Sequence, residues 1–156
     1  MVEIEVPGRK PLSLSDLVLD YNGTLALDGK ILPGAAQRLL SLAGHLRLHV
    51  LTADTFGSVG KELADLPCRV FVIATENQAE AKAEYLRQLG PQKCVAIGNG
   101  RNDALMLKAA ALGIAVVQAE GASVEALFSA DVLSRDILEA LDLLLNPLRL
   151  VAALRS

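Results

Sequence analysis

Four short runs carry side chains that could do chemistry. The first is Asp20-Tyr21-Asn22-Gly23-Thr24, directly after the apolar run Leu17-Val18-Leu19. An Asp at the end of a buried strand is held rigidly and aimed at the crevice beyond it. Its carboxylate can bind a metal ion or attack an electrophile. Gly23 lets the backbone turn away closely, although an ordinary loop Asp would look the same taken alone. The second run is Leu51-Thr52-Ala53-Asp54. A hydroxyl at a strand end can donate to a phosphate oxygen, but Thr52, Asp54 or Thr55 could equally cap a following helix. The third is Lys82, which in isolation reads as one more solvated lysine. The fourth is Gly98-Asn99-Gly100-Arg101-Asn102-Asp103. Its glycines would let backbone amides approach an anion, and Asn99 and Asp103 offer oxygen ligands of the kind Mg²⁺ takes. Two look-alikes fail. Asp103 occupies the third glycine position of a dinucleotide fingerprint. Gly57-Ser58-Val59-Gly60-Lys61-Glu62 is too short for a P-loop and has Glu where a magnesium-binding Ser or Thr belongs.

Regular elements must bring these runs together. Val2, Ile4 and Val6 alternate with Glu3 and Glu5, a half-buried strand. Pro7-Gly8 turns it, and Lys10–Leu14 returns as a partner. After the strand ending at Asp20, Thr24–Leu32 reads as a hairpin around Asp28-Gly29. Helices and strands then alternate. A helix runs from Pro33-Gly34 to Ala43, a strand from Leu46 to Thr52, a helix over Phe56–Leu66 and a strand over Arg69–Ala74. Next come a helix over Glu76–Leu89, a strand over Cys94–Ile97 and a helix over Asn102–Ala111. The last are a strand at Gly113–Val117, a helix at Gly121–Phe128, a strand at Asp131–Leu133 and a helix at Ile137–Leu145. This alternation predicts an α/β fold: one doubly wound, mainly parallel, Rossmann-like sheet with helices on both faces. Residues 1–156 read as one domain, without linker or repeat. Ligands of such a sheet bind at the carboxyl ends of the strands, where strand order reverses. Asp20, Thr52 and the Gly98–Asp103 run all fall at strand ends.

Each element is modest, but the order Asp, Thr, Lys, GxGxND resembles the four-motif pattern of the haloacid-dehalogenase-like (HAD) superfamily over nearly the whole chain. The run from Val95-Ala96-Ile97-Gly98 through Asn102-Asp103-Ala104, with Leu112-Gly113-Ile114-Ala115 and Ala130-Asp131-Val132, is most similar to the phosphorylation domain of P-type ATPases. No transmembrane helix or nucleotide-binding insert accompanies it, so the chain resembles the soluble P-type-ATPase-like members. The resemblance implies a hydrolase, a phosphatase or phosphotransferase acting on a phosphomonoester. Asp20 would form an aspartyl phosphate, with Asn22, Thr52 and Lys82 as the other catalytic positions. Gly23, Thr52, Ala53, Lys82 and Asn102 would bind phosphate. Asp20, the carbonyl of Asn22, Asn99 and Asp103 would hold Mg²⁺.

Two positions depart from the family pattern. Its phosphatases carry an Asp two residues after the nucleophile as general acid and base, where this chain has Asn22. Asn99 also stands where the family usually has Asp. Both changes remove negative charge and should weaken metal binding. P-type ATPases likewise lack that first Asp and form a long-lived phosphoenzyme, which points to slow turnover. The alternative is a catalytically impaired regulatory domain that binds phosphate or a partner. Caps enter this superfamily after the first motif or between the second and third. Here those gaps, 32 and 30 positions, are filled by core elements, so the chain should be capless. Capless relatives take large substrates or close their sites by assembling, which suggests a homo-oligomer. The tail Leu148, Leu150, Val151 and Leu154 could pack between copies or form a last helix on its own sheet.

The 156 residues carry a net charge of −3 and no basic block, so nothing suggests nucleic acid or an anionic membrane. No stretch is long and apolar enough for a signal peptide or a membrane span. Cys68 and Cys94 border strands without metal-ligand spacing and read as buried free thiols. His45 and His49 match no motif. These features suggest a cytoplasmic protein.

Overall fold

A computed structural model describes residues 1–54 and 57–156. At the amino terminus β1 (Val2–Ile4) pairs antiparallel with β2 (Leu12–Leu14). The fully buried β3 (Asp16–Asp20) follows, then the hairpin β4 (Ala26–Leu27) and β5 (Lys30–Ile31). The alternating part comprises α1 (Ala35–Ala43), β6 (Arg47–Thr52), α2 (Ser58–Glu62), β7 (Cys68–Val72), α3 (Gln78–Leu89) and β8 (Cys94–Gly98). It continues through α4 (Ala104–Ala109), β9 (Leu112–Val116), α5 (Val124–Ser129), β10 (Val132–Ser134), α6 (Ile137–Leu145) and α7 (Pro147–Leu154).

The central sheet has six strands in the order β10-β9-β8-β3-β6-β7, every pair parallel. The chain fills one half from β3 outward to β7, then crosses back to start the other half at β8. Strand order therefore reverses between β3 and β8, and a crevice opens at their carboxyl ends.

Side chains alternate between two apolar layers, as the pleat requires. Leu17, Leu19, Leu48 and Val50 join α1 and α6 residues such as Leu39, Leu42, Ile137 and Leu141 on one face. Val18, Leu51, Ala96 and Ala115 meet Leu86 of α3, Met106 and Leu107 of α4 and Ala126 of α5 on the other. At about 25 cal/mol per Å² of apolar surface removed from water, these two layers supply the main drive to fold.

The predicted class holds, with local differences. The helix predicted over Phe56–Leu66 is only Ser58–Glu62; Phe56 and Thr55 lie outside the described residues. Pro67 disfavours helical backbone at residue 66, and Gly60 adds an unfavourable interior residue. The helix predicted from Asn102 begins instead as a 3₁₀ turn over Arg101–Asp103. The helix predicted from Gly121 starts at Val124, where the Ser123 hydroxyl accepts from the Ala126 amide at 3.0 Å. Coverage of both faces stops at β7. This strand has one neighbour, α2 is short, and Val70, Phe71 and Val72 are exposed. The apolar tail is a last helix: Leu150 of α7 is buried in the core while Leu148 lies exposed. Cys94 is buried, Cys68 half-buried, and both are free. Among the described residues, no helix is long and apolar enough to cross a membrane.

At the end of the sheet away from the crevice, the first residue of β3 anchors a polar cluster. Asp16 receives Arg47 in a two-point contact at 2.7 and 2.8 Å. It also accepts from Ser15 and faces Nε2 of His49 at 3.0 Å. Burial lowers the His49 pKa against the pull of Asp16, and the ring bridges the two groups, Nε2 toward Asp16 and Nδ1 2.8 Å from the Tyr85 hydroxyl. Burial would raise the Asp16 carboxyl, but hydrogen bonds from Arg47, Ser15 and His49 reverse this and pull it down to about 2 from 3.8. A depressed carboxyl stabilises the fold above its unfolded pKa and loses that stabilisation as pH falls through the folded one. Between about pH 4 and 2 this group should therefore cost the protein about 2 kcal/mol. Urea unfolding across that range checks it: Asp16→Asn should be less stable near neutrality and show a flatter acid limb.

Candidate active site

Three neighbouring strands present their carboxyl ends together: Gly98 of β8, Asp20 of β3 and Thr52 of β6. Lys82, in the second turn of α3, reaches the same crevice. Its Nζ lies 2.6 Å from Oδ1 of Asp20 and 2.7 Å from Oδ1 of Asp103. Lys82 is 1% exposed, Asp20 7% and Asp103 0%. A lysine so deep stays in place only because two carboxylates compensate its charge. Burial alone would lower its pKa, but Asp20 and Asp103 more than offset that and raise it. Burial, then the charge of Asp103, pushes the Asp20 carboxyl up to about 7 against the pull of Lys82.

The other Asp20 oxygen, Oδ2, accepts from the Thr24 hydroxyl at 3.0 Å. That hydroxyl also lies 3.2 Å from Oδ1 of Asn99. Asn99 is oriented by its own donor group, which reaches the carbonyl of Gly121 at 3.1 Å. Asp103 is held by the loop it closes: Oδ2 accepts from the amides of Asn99 at 3.0 Å and Gly100 at 2.9 Å. Gly98 makes this possible, because a Cβ there would sit 2.6 Å from the Asp103 Cβ. The Thr52 Oγ1 accepts from the Asp54 amide at 3.0 Å, and among the described residues its hydroxyl has no acceptor of its own.

These groups border a cavity of about 490 Å³. Asp20, Asn22, Thr52, Ala53, Lys82, Asn99 and Asn102 all line it, as do Asp54, Gln78, Gly100 and Glu120. Two of the anticipated residues are placed differently. Asp103 stands behind Lys82 rather than on the cavity wall, and three of its roughly four acceptor sites are already taken. Gly23 was expected to bind phosphate, but its amide donates to the carbonyl of Ala26 at 2.8 Å and is not available to an anion. Its work is clearance. It adopts φ +82°, and a Cβ there would fall 2.1 Å from Oε2 of Glu120 and 2.7 Å from Nδ2 of Asn99. Sequence reasoning assigned no role to Thr24, Gln78 or Glu120. Thr24 lies within the first motif, and Glu120 lies just beyond the carboxyl end of β9.

The donors on the cavity wall are oxygens of carboxylates, amides and hydroxyls, without thiol or imidazole. That set suits Mg²⁺, which binds one or two carboxylates and completes its shell with water and substrate phosphate. No cluster of three Asp, Glu, His or Cys side chains able to enclose a metal occurs among the described residues, so a cation here would depend on those added ligands.

The fold and the crevice define a doubly wound α/β core with a polar cavity at the carboxyl ends of its strands. The chain belongs to the haloacid dehalogenase-like hydrolases: the family's sequence profile matches residues 7–111, from before Asp20 to beyond Asp103. An uncharacterized protein of Methanocaldococcus jannaschii is 51% identical over 74 residues, covering 47% of this chain and 80% of that protein. The 3-deoxy-D-manno-octulosonate 8-phosphate phosphatase of Moraxella catarrhalis has the same fold over 85% of this chain and 86% of its own, with TM-score 0.71 and 16% identity. That crystal structure is a complex with magnesium ion, phosphate ion and KDO. A zinc-transporting PIB-type ATPase in its E2.Pi state aligns with 80% of this chain and 20% of its own, at TM-score 0.60 and 28% identity. The chain is capless: between Asp20 and Thr52 the structure has the β4-β5 hairpin, α1 and β6, and between Thr52 and Lys82 it has only core elements among the described residues.

Proposed function

We propose that this protein is a Mg²⁺-dependent phosphatase or phosphotransferase that acts on a phosphomonoester through an aspartyl phosphate on Asp20, with slow dephosphorylation. The observation that carries this is the buried Lys82 bridge between Asp20 and Asp103 at the point where strand order reverses. A carboxylate oxygen of Asp20 attacks phosphorus as the bond to the ester oxygen breaks, and the leaving alkoxide takes its proton from solvent water; a second water, or an acceptor hydroxyl, then attacks phosphorus, loses its proton to solvent and frees the Asp20 carboxylate. Thr52 donates its hydroxyl to a phosphoryl oxygen, and the Lys82 ammonium offsets the charge on the transferring group. Ala53 and Asn102 border the same phosphate position. A cation held by Asp20, the Asn22 carbonyl and Asn99, with Asp103 behind them, would neutralise phosphate charge and keep Asp20 ionised despite its burial.

Asn22 is exposed on the cavity wall and can hydrogen-bond a leaving oxygen, but it cannot protonate it. The same residue is what favours the second reading, an impaired domain that binds phosphate or a partner. The likeness to the PIB-type ATPase supports a persistent phosphoenzyme. An open cavity in a capless chain supports a homo-oligomer, and two free thiols support a cytoplasmic site. A phosphomonoester panel with Mg²⁺ is the test. Hydrolysis should occur with some member and fall at least about 10³-fold in Asp20→Asn. Equal rates in wild type and Asp20→Asn would remove Asp20 as nucleophile.

A further inference from the structure

We infer that Glu120 supplies the second carboxylate of the cation site, compensating for the amide at position 99. This rests on the phosphatase reading above and adds a residue outside its four motifs. On the cavity wall, Asp20 is the carboxylate of the first motif, while Asn22 and Asn99 offer only neutral oxygens. Asp103 shares its charge with Lys82 and lies off the wall. Two further carboxylates line the cavity, Asp54 and Glu120. Asp54 follows β6 on the Thr52 side and accepts from the Ser58 hydroxyl at 2.6 Å. Glu120 follows β9, on the side of β8 and Asn99. Its Oε2 and the Asn99 amide crowd the same point above Gly23, at 2.1 and 2.7 Å from where a Cβ would stand. Only glycine leaves room for both.

The turn that carries Glu120 is fastened to the motifs. Gln118 donates to the carbonyls of Gly23 at 2.9 Å and Thr24 at 2.6 Å, and its oxygen accepts from the Ile137 amide at 2.9 Å. The Ser123 amide donates to the Asn99 carbonyl at 2.9 Å, and Asn99 in turn donates to Gly121. Glu120 is thus held between two anchored points, beside the residue whose charge is missing. Among the described residues it has no hydrogen-bond or salt-bridge partner. A carboxylate carried on this anchored turn adds negative field where Asp20 and Asn99 converge. A hard divalent cation is the ligand that field fits.

The test is the binding of Mn²⁺, read by the loss of its free electron-spin signal, and of Mg²⁺, read by calorimetry, on the full chain. Glu120→Gln should weaken both by about 10–100-fold. Glu125→Gln, which removes an exposed carboxylate paired with Arg101, should leave affinity unchanged. Asn99→Asp combined with Glu120→Gln should restore most of what the single variant loses. Wild-type affinity in Glu120→Gln, an equal loss in Glu125→Gln, or no binding by the wild type at millimolar cation would each overturn the inference. The proposed function fails separately, since it is read by hydrolysis in Asp20→Asn. Hydrolysis that depends on Asp20 alongside unchanged Mn²⁺ affinity in Glu120→Gln removes only the role of Glu120.

Discussion

Lys82→Met should slow phosphoryl transfer by at least two orders of magnitude, about 10²-fold or more, and leave a protein several kcal/mol less stable. The lysine is the cationic partner of two buried carboxylates at 2.6 and 2.7 Å. Removing one partner of a buried ionic cluster costs about 3–5 kcal/mol, because the remaining charges stay desolvated and unpaired. Methionine keeps much of the packing volume, so the loss reports charge. Transfer should fall by about 10²–10³-fold or more, the scale seen when one preorganised donor to a developing charge is lost. Asp103→Asn in the Lys82→Met background should recover part of the stability, since it removes one of the two repelling carboxylates. It should not recover activity, because no ammonium would face the phosphoryl group. Urea unfolding and single-turnover hydrolysis measure the two effects. Equal stability of Lys82→Met and wild type would mean that the bridge is not the structural centre of the site.

Asn22→Asp should raise turnover, on the order of 10²-fold. A positioned acid–base group contributes about 10²–10⁴-fold, and in the proposed reaction Asp20, Lys82 and the hydroxyls already hold their roles. The Asn22 side chain is exposed and its backbone pairs with Ala26, so the change leaves the first motif folded. The added carboxylate also repels an anionic substrate, which holds the gain toward the lower figure. Burst and steady-state hydrolysis of an aryl phosphate separate the steps. The burst should persist while the steady-state rate rises. No change in either phase, with Asp20 still phosphorylated, would mean that another group supplies the proton.

Much of this arrangement is legible in the chain because the chemistry sits at strand ends. Continuous apolar runs locate β3, β6 and β8, and Asp20, Thr52 and Gly98 end them. Lys82 has no local signal. It becomes visible only through the order of the four motifs, and its two salt bridges come from the packing of α3 over the sheet. Asp103 was legible as a site residue but not its orientation, because whether a carboxylate faces a cavity or a loop amide depends on three-dimensional closure over Gly98. Gly23 looked like a phosphate contact and is a clearance position. Glu120 was invisible for a related reason: an exposed Glu in a turn looks like any solvated charge until β9 is placed beside β8. The exposure of β7 was missed because an apolar run reports burial on average. It does not report which strand lies at the edge or how short the helix beside it is.

In the proposed reaction Asp20 carries the phosphoryl group. The most direct test is mass spectrometry of the intact chain and its peptides after exposure to acetyl phosphate and Mg²⁺, with rapid acid quenching. One phosphoryl adduct is expected on the peptide containing Asp20, absent in Asp20→Asn and longer-lived in wild type than in Asn22→Asp. Hydrolysis of a phosphomonoester without any adduct at Asp20, or an adduct that survives Asp20→Asn, would contradict it.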